Sequence, residues 1–236
     1  MNDNSVETLK NKMDKIKNKK VSFNILPITN NDKETVKNSL RQYFFRDEPI
    51  SASIGLLEEK ESVIQFENFC IDLLQFGVSF MAVSTETGEM MGATLNSTAC
   101  RGDKIKQYSD KNNDRSIKYN ELMIFLDKAG RDTDFFGQYP NIDRIMKLEI
   151  ITVNEAYRGQ GVCKALVNKS KELALELGYQ MIGVDCSSNF TAMAVERFGF
   201  QCIYSFPYSD YVNKQGEVVF KTQPPHEYFK THVLLL

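Results

Sequence analysis

The stretch Met146-Lys-Leu-Glu-Ile-Ile-Thr-Val153 is followed by Asn154-Glu-Ala-Tyr-Arg-Gly-Gln-Gly-Val162 and then by an amphipathic run over 163–177. The first eight residues are mostly apolar or β-branched and contain no Gly or Pro, which predicts a strand buried on much of both faces. In the last segment apolar residues recur at three- and four-residue steps up to Gly178, which predicts a helix with a C-terminal glycine cap. Together they predict a strand, a tight turn and a helix.

The turn, Arg158-Gly159-Gln160-Gly161, contains two residues without a Cβ. Such a turn lets consecutive backbone N–H groups point into one concavity at a helix N-terminus, where an anion is favoured. It predicts a phosphate or pyrophosphate site, although an ordinary tight connection also explains a bare Gly-x-Gly. A Rossmann fingerprint needs a third glycine where this chain has Lys164, although Asp185 lies at a plausible spacing for a ribose partner. A P-loop needs Gly-Lys-Ser/Thr, which this turn lacks.

Residues 153–162 resemble the pyrophosphate-binding motif of the GNAT superfamily of acyl-CoA-dependent N-acetyltransferases. The usual pattern of that family is Gln/Arg-x-x-Gly-x-Gly/Ala. This chain satisfies it at Arg158 and Gly161 and has the small residue Cys163 at the last place. The resemblance implies an α/β (α+β) fold with a mixed central sheet of about seven strands flanked by helices. It also implies a splay between two strands around the site of acetyl-CoA, the co-substrate.

Composition places the chain among ordinary globular proteins, with 236 residues, 42% apolar and 25% charged. Its 29 basic and 31 acidic residues give no argument for a nucleic-acid or membrane partner. The Lys-rich residues 1–20 lack the apolar core of a signal peptide, and we expect a cytoplasmic protein with a flexible extension over 1–20. We expect one GNAT acetyltransferase domain over 21–236, as a monomer or weak dimer.

Cysteine and histidine contents argue against metal and disulfide chemistry. The odd number of cysteines, without a C-x-x-C pair, predicts reduced and buried thiols. The two histidines, His226 and His232, give little to build a metal site or a histidine-driven nucleophile from, so we expect no metal.

Hydrophobic periodicity and turn residues predict the other elements. Strands are predicted over 21–28, 78–84, 90–98, 180–186, 200–206 and 218–221. Helices are predicted from 31 or 32 up to Pro49, and over 62–75, 116–128 and 189–198. A charged loop is predicted over 101–115 and an aromatic connector over 130–141.

Two further segments resemble the insect-type arylalkylamine N-acetyltransferases, which acetylate dopamine, serotonin and related amines. They are 43–49, with the sequence Tyr-Phe-Phe-Arg-Asp-Glu-Pro, and 206–211 with the following 216–220. The resemblance runs from about Phe23 to the C-terminus. It implies that Glu48 is the general base and that Ser187 and Thr191 relay protons or protonate the departing thiolate.

Chemistry explains why such an enzyme needs a carboxylate. An alkylamine has a pKa near ~10, so only about one molecule in a thousand is the free nucleophile at neutral pH, a cost of roughly 4 kcal/mol. A carboxylate can accept the proton directly or through water and also attracts the cation. Without the resemblance, Glu48 and Asp47 would be read as solvated loop acids. Glu149 is the rival base, because strand alternation can direct it into a cleft.

The segment after the predicted strand 180–186 admits two interpretations. Ser187 and Thr191 fit a proton relay, whereas Ser188, Asn189 or Thr191 could instead cap a helix. We interpret Cys186 as packing and not as a nucleophile, because a thiol in an apolar strand is usually inert.

Substrate and cofactor contacts complete the predicted site. Direct transfer needs the amine and the thioester within about 3.5 Å, which favours a ternary complex, with the Val153 N–H polarising the carbonyl. Amine contacts are predicted for Tyr43, Phe45, Asp47, Glu149, Tyr208 and Tyr211. Acetyl-CoA contacts are predicted for Ile151, Thr152, Val153, Arg158, Gly159, Gln160, Gly161, Val162, Cys163 and Ser188. The alternatives are acetylation of polyamines, use of a longer acyl-CoA, and a CoA-binding module without turnover.

Overall fold

A computed structural model describes residues 21–103 and 116–236 of the chain. Its centre is a sheet of seven strands, which are β1 (Phe23–Pro27), β2 (Phe80–Ser84), β3 (Met90–Cys100), β4 (Arg144–Val153), β5 (Met181–Cys186), β6 (Gln201–Pro207) and β7 (Tyr228–Leu235). Their spatial order is β1-β2-β3-β4-β5-β7-β6, and only the β4–β5 pair is parallel. The predicted fold class, a mixed sheet of about seven strands flanked by helices, is confirmed.

Helices cover both faces of the sheet. They are α1 (Lys33–Ser39), α2 (Pro49–Ser53), α3 (Lys60–Asp72), α4 (Ile117–Thr133), α5 (Phe135–Gln138), α6 (Val162–Glu176) and α7 (Asn189–Arg197). A π-helical turn over Leu40–Phe44 extends α1. The largest core cluster joins α1, α3 and α4 to the sheet, and a second joins α6 and α7 to β4 and β5.

One predicted strand is wrong, and one observed strand has no counterpart among the predictions. The strand predicted over 218–221 is absent from the sheet, and Val218 makes only an isolated bridge to Val212. The apolar signal there comes from Phe220, whose side chain is buried in the core from an irregular segment. The sheet instead gains β7, which lies between β5 and β6.

The helix predicted up to Pro49 ends earlier, at Phe44, and Pro49 instead begins the next helix. It is the first residue of α2, where its fixed φ suits helix initiation and its missing N–H has no partner to lose. The predicted aromatic connector over 130–141 is also more regular than expected, because α4 continues to Thr133 and α5 follows. The predicted extension over 1–20 and residues 104–115 of the predicted charged loop lie outside the described residues.

Within 21–103 and 116–236, no helix combines the length and apolarity needed to cross a membrane. The same residues contain no cluster of three or more His, Cys, Asp or Glu side chains that could hold a metal ion.

Candidate active site

The site begins where β4 and β5 part. The two strands are paired only from Ile145 with Met181 to Leu148 with Val184. Beyond this point β4 continues to Val153 and β5 to Cys186 without pairing to each other. The predicted splay is therefore present and opens a wedge between parallel strands.

A β-bulge lies at the same place. Leu95 of β3 pairs with Ile150 and Asn96 pairs with Leu148, so Glu149 is the extra residue on β4. A bulge changes the direction of nearby side chains. Residues beyond it face the side of the sheet opposite to that expected from regular alternation. Met146 and Leu148 pack towards α6 and α7 before the bulge, and Ile151 does so after it. The bulge and the splay together bring Glu149 to the wedge.

A cleft of about 1070 Å³ opens at this wedge, between the sheet and helices α3 and α4. Four of the side chains predicted to act in catalysis or substrate binding line it, and so does one predicted cofactor contact. They are Glu48, Glu149, Ser187 and Thr191, and Ile151.

Glu48 is the N-cap of α2. Its two carboxylate oxygens accept hydrogen bonds from the Ile50 N–H, at 3.1 Å, and from the Ser51 N–H, at 2.6 Å. The residue is only 7% exposed. The carboxylate is thus fixed in orientation at the cleft wall, and each oxygen retains a lone pair for a further partner.

Some polar groups of the segment after β5 hold the backbone in place, and others line the cleft. Ser188 is the N-cap of α7, accepting the Phe190 N–H at 3.2 Å, so Thr191 is not needed as the cap. The Tyr208 hydroxyl donates to the Ser187 carbonyl at 2.8 Å and holds that residue in place. Ser187 and Thr191 both line the cleft.

A charged network forms the floor of the cleft. The Lys147 ammonium lies 2.9 Å from an Asp185 oxygen and 3.7 Å from a Glu149 oxygen. The Ser97 hydroxyl donates to the other Glu149 oxygen at 2.5 Å, and Thr231 donates to Asp185 at 2.6 Å. Burial alone would lower the pKa of Lys147, but Asp185 and then Glu149 raise it above its usual value.

The glycine turn has the backbone expected of an anion site. Gly159 and Gly161 have φ values of 77° and 85°, a region that favours glycine. Gly161 is the N-cap residue of α6, and no side chain among the described residues caps that helix. Its first N–H groups are thus available to an anion, and the space around both glycines is open. The turn fits a pyrophosphate.

Arg158 links this turn to the loop that carries the Glu48 cap. Its guanidinium lies 2.5 Å from Asp47, which also pairs with Arg46 at 2.8 Å. Hydrogen bonds from Arg46 and Arg158 hold the pKa of Asp47 below its usual value, although burial opposes them. Asp47 is therefore occupied by two arginines at the cofactor side and does not line the cleft.

The other predicted cofactor residues surround the same turn. Thr152 and Val153 end β4, Val162 and Cys163 begin α6, and Gln160 accepts the Val21 N–H at 3.0 Å. These contacts with acetyl-CoA stay predictions.

The predicted aromatic contacts are distributed differently from the expectation. Phe45 is 1% exposed and stacks on Phe66 in the core, and Phe44 is the residue that lines the cleft. Tyr208 is 2% exposed, and Tyr211 packs on Phe125 with ring centroids 4.9 Å apart. Sequence alone did not show which face of its element each ring occupies. Tyr43, like these two tyrosines, is not among the cleft residues.

Thiols near the site are held in their neutral form. Burial raises the pKa of Cys186 well above its usual value and raises that of Cys163 to about 11. Among the described residues all five cysteines are free, but only Cys70 and Cys186 are buried. The expectation of buried thiols is wrong for Cys202, which is exposed on edge strand β6.

His226 is a neighbour of the site that sequence reasoning left out. Its Nδ1 accepts the Asn189 N–H at 3.1 Å, at the start of α7, so that nitrogen carries no proton. Burial lowers the pKa of His226, against the opposing charge of Glu48. No local motif marks this residue, because the hydrogen-bond partner of its side chain, Asn189, is 37 positions away.

Comparison with known proteins agrees with this geometry. Residues 105–200 match the acetyltransferase (GNAT) family. The structure of arylalkylamine N-acetyltransferase 2 from Aedes aegypti is similar with a TM-score of 0.83 and 28% identity, covering 91% of this chain and 99% of that one. Two structures of lower identity share the fold. They are the Drosophila melanogaster polyamine N-acetyltransferase (TM-score 0.81, 21% identity, 91% and 100% covered) and a mosquito arylalkylamine N-acetyltransferase like 5b (0.80, 22%, 91% and 100%).

The seven-stranded sheet, splayed between β4 and β5 and flanked by helices, is consistent with the GNAT fold. Residues 105–200 thus match a family of acetyltransferases whose members use acetyl-CoA.

Proposed function

We propose that the protein transfers the acetyl group of acetyl-CoA to the primary amine of a small arylalkylamine, of the dopamine, serotonin or tryptamine class. The observation that carries this proposal is the convergence of Glu48, Ser187 and Thr191 on one cleft at the parting of β4 and β5. Glu48 is the N-cap of α2, Ser187 follows β5 and Thr191 lies in α7. A fixed carboxylate and two hydroxyls beside a pyrophosphate-binding turn suit direct aminolysis of a thioester.

The charge of the cleft favours a cationic substrate. Its acidic lining residues are Glu48, Asp72, Asp103, Asp127, Glu149 and Asp185, and Lys147 is the one basic lining residue in the described ranges. Clefts lined by one sign of charge concentrate ligands of the opposite sign. A protonated amine would therefore be attracted before it loses its proton.

In this mechanism Glu48 accepts the proton of the bound ammonium, which leaves the nitrogen free to attack. Acetyl-CoA supplies the acetyl thioester when bound. Ser187 relays to the departing sulfur the second proton that the nitrogen loses as the amide forms, and Thr191 assists it. The Val153 N–H polarises the acetyl carbonyl, and residues 158–162 hold the pyrophosphate. Glu149 is the rival base.

Ring-bearing side chains at the cleft support an aromatic substrate. Phe44, Phe66, Phe69 and Tyr119 line it and offer apolar faces to a ring or to an ammonium group. The similar Aedes protein is an arylalkylamine N-acetyltransferase. The acidic lining also favours a second candidate, acetylation of a polyamine, and the fold of the Drosophila polyamine enzyme is shared.

The test is release of free thiol from acetyl-CoA with dopamine, serotonin, tryptamine, histamine, spermidine and spermine, beside a control without amine. Turnover of the aromatic amines supports the proposal. Turnover confined to spermidine and spermine would make the substrate a polyamine. Turnover only when a longer acyl-CoA is supplied would mean that the acyl donor is not acetyl-CoA. Binding of acetyl-CoA without turnover of any amine leaves a CoA-binding module.

A further inference from the structure

Lys147 has an unusual position for a cation in an amine-binding cleft. It lies on β4 and its backbone pairs with Gly183, one pair before β4 and β5 separate. Its side chain is 20% exposed. Among the charged side chains that line the cleft within the described ranges, it is the only positive one.

The ammonium is held by carboxylates on both strands. It lies 2.9 Å from Asp185 and 3.7 Å from Glu149, whose side chains are 23% and 21% exposed. The outer oxygens of these acids accept hydrogen bonds from Thr231 and Ser97. Both acids are therefore fixed, and Lys147 already occupies the position that another ammonium would take between them.

This cluster lies close to the proposed reaction centre. Asp185 is two residues before Ser187, and Glu149 is two residues before Ile151 on the open part of β4. Two residues of a strand span roughly 6.6 Å. A second charged group on a short, flexible amine would thus reach Lys147 while the first is at Glu48 and Ser187.

We infer that Lys147 determines specificity by excluding substrates that carry a second ammonium group. It supplies a resident cation where the far end of a short diamine would have to lie. Specificity is often achieved by such a repulsive element, since juxtaposed like charges cost several kcal/mol. The inference rests on the proposed function and deepens it, because it separates monoamines from diamines.

The test uses two substrates of one length, pentylamine and pentane-1,5-diamine, whose far ends are a methyl and an ammonium. With the native protein, kcat/KM for pentylamine should exceed that for the diamine by about tenfold or more. In Lys147→Met the ratio of kcat/KM for pentylamine to kcat/KM for the diamine should fall about tenfold or more. Lys147→Arg, which keeps the charge, should retain the native ratio.

A matched control is Lys169→Met. Lys169 lies on α6, pairs with Glu172 at 3.0 Å and is not among the cleft residues, so this change removes the same charge elsewhere. The ratio of kcat/KM for the two amines in Lys169→Met should equal that of the native protein. A purely structural role of Lys147 would lower the melting temperature of Lys147→Met and leave the ratio unchanged.

Three results would overturn the inference: a native preference for the diamine, an unchanged ratio in folded Lys147→Met, or loss of discrimination in Lys147→Arg. If Lys147→Met does not fold, Lys147→Gln takes its place. Failure of the proposed function is a separate result, in which the native protein acetylates no amine. Calorimetric binding of the two amines to the CoA complex then measures the same ratio, and equal affinities would overturn the inference.

Discussion

Glu48 has a structural task as a helix cap and, in the proposed mechanism, a chemical task as the general base. As the N-cap of α2 it accepts two backbone hydrogen bonds, and it does so from a nearly buried position in the cleft wall. A side chain fixed in this way needs no reorganisation when the amine arrives, which is what positioned acid–base groups require. The cap therefore explains how a loop residue before a proline can serve as a precise proton acceptor.

The variant Glu48→Gln should reduce kcat/KM about 100-fold or more, because a general base typically contributes ~10²–10⁴-fold. Acetyl-CoA affinity should be kept. The defect should shrink as the pH approaches the amine pKa of ~10, where the substrate supplies its own free base. Steady-state rates between pH 7 and pH 10 provide the measurement.

Its matched control is Glu34→Gln, an exposed acid on α1 that pairs with Lys37. This change should leave the rate at the native value. Because the amide accepts fewer hydrogen bonds than the carboxylate, Glu48→Gln should also lower the free energy of unfolding by about 1 kcal/mol. A native rate in folded Glu48→Gln would indicate that Glu149, and not Glu48, is the general base.

At the scale of single residues, motif resemblance selected Glu48, Ser187 and Thr191, and the fold brings all three to one cleft. It did not reveal the Lys147 network, because that contact depends on the bulge at Glu149 and on a partner 38 positions away. Burial of individual rings was equally hidden, since adjacent aromatics in a π-helical turn can face core or cleft.

Two adjacent serines at the start of α7 make different contacts. Ser188 accepts a backbone N–H of the first turn, whereas Ser187 lies at the cleft and is held through its carbonyl by Tyr208. Ser188 is thus the helix cap, and a proton relay through Ser187 stays a prediction.

Replacing each serine by alanine should therefore give opposite results. Ser188→Ala should lower the free energy of unfolding by about 1 kcal/mol, the usual cost of a lost N-cap. Ser187→Ala should keep that stability and lower kcat by about tenfold. This is less than the ~10²-fold usual for a proton donor, because a thiol with a pKa near ~8.5 leaves readily as a thiolate. Chemical denaturation and steady-state kinetics measure both, and a stability loss confined to Ser187→Ala would contradict the division.

At the scale of elements, the strand, turn and helix over 146–177 could be predicted because their signals are local: β-branched content, two glycines and a helical stripe. The end of the chain could not, because strand identity there depends on pairing partners. Tyr228–Leu235 lies between two strands of the sheet, whereas the equally apolar segment around Phe220 packs without a ladder.

Over the whole molecule the charges nearly cancel, with a formal net charge of −2. The cleft does not share that balance, since six acidic side chains and one lysine line it in the described ranges. The acids come from segments between residues 48 and 185, so no run of the sequence reveals the concentration of charge that folding produces. Counting charges along the sequence therefore missed the local field of the cleft.

Because of this local field we expect the KM for the amine to depend on the salt concentration. Raising the ionic strength from about 0.05 M to 0.5 M should increase that KM roughly threefold at saturating acetyl-CoA, while kcat stays constant. The reason is that the Debye length falls from roughly 14 Å to roughly 4 Å, and attraction over longer distances is screened. Asp72→Asn, at an exposed lining position, should raise KM at low salt and flatten the salt dependence. The control Glu34→Gln removes one exposed negative charge outside the cleft and should leave the salt dependence intact. A KM that is constant over this range would show that attraction by the cleft acids does not contribute to capture of the amine, and the aromatic faces would then account for its binding.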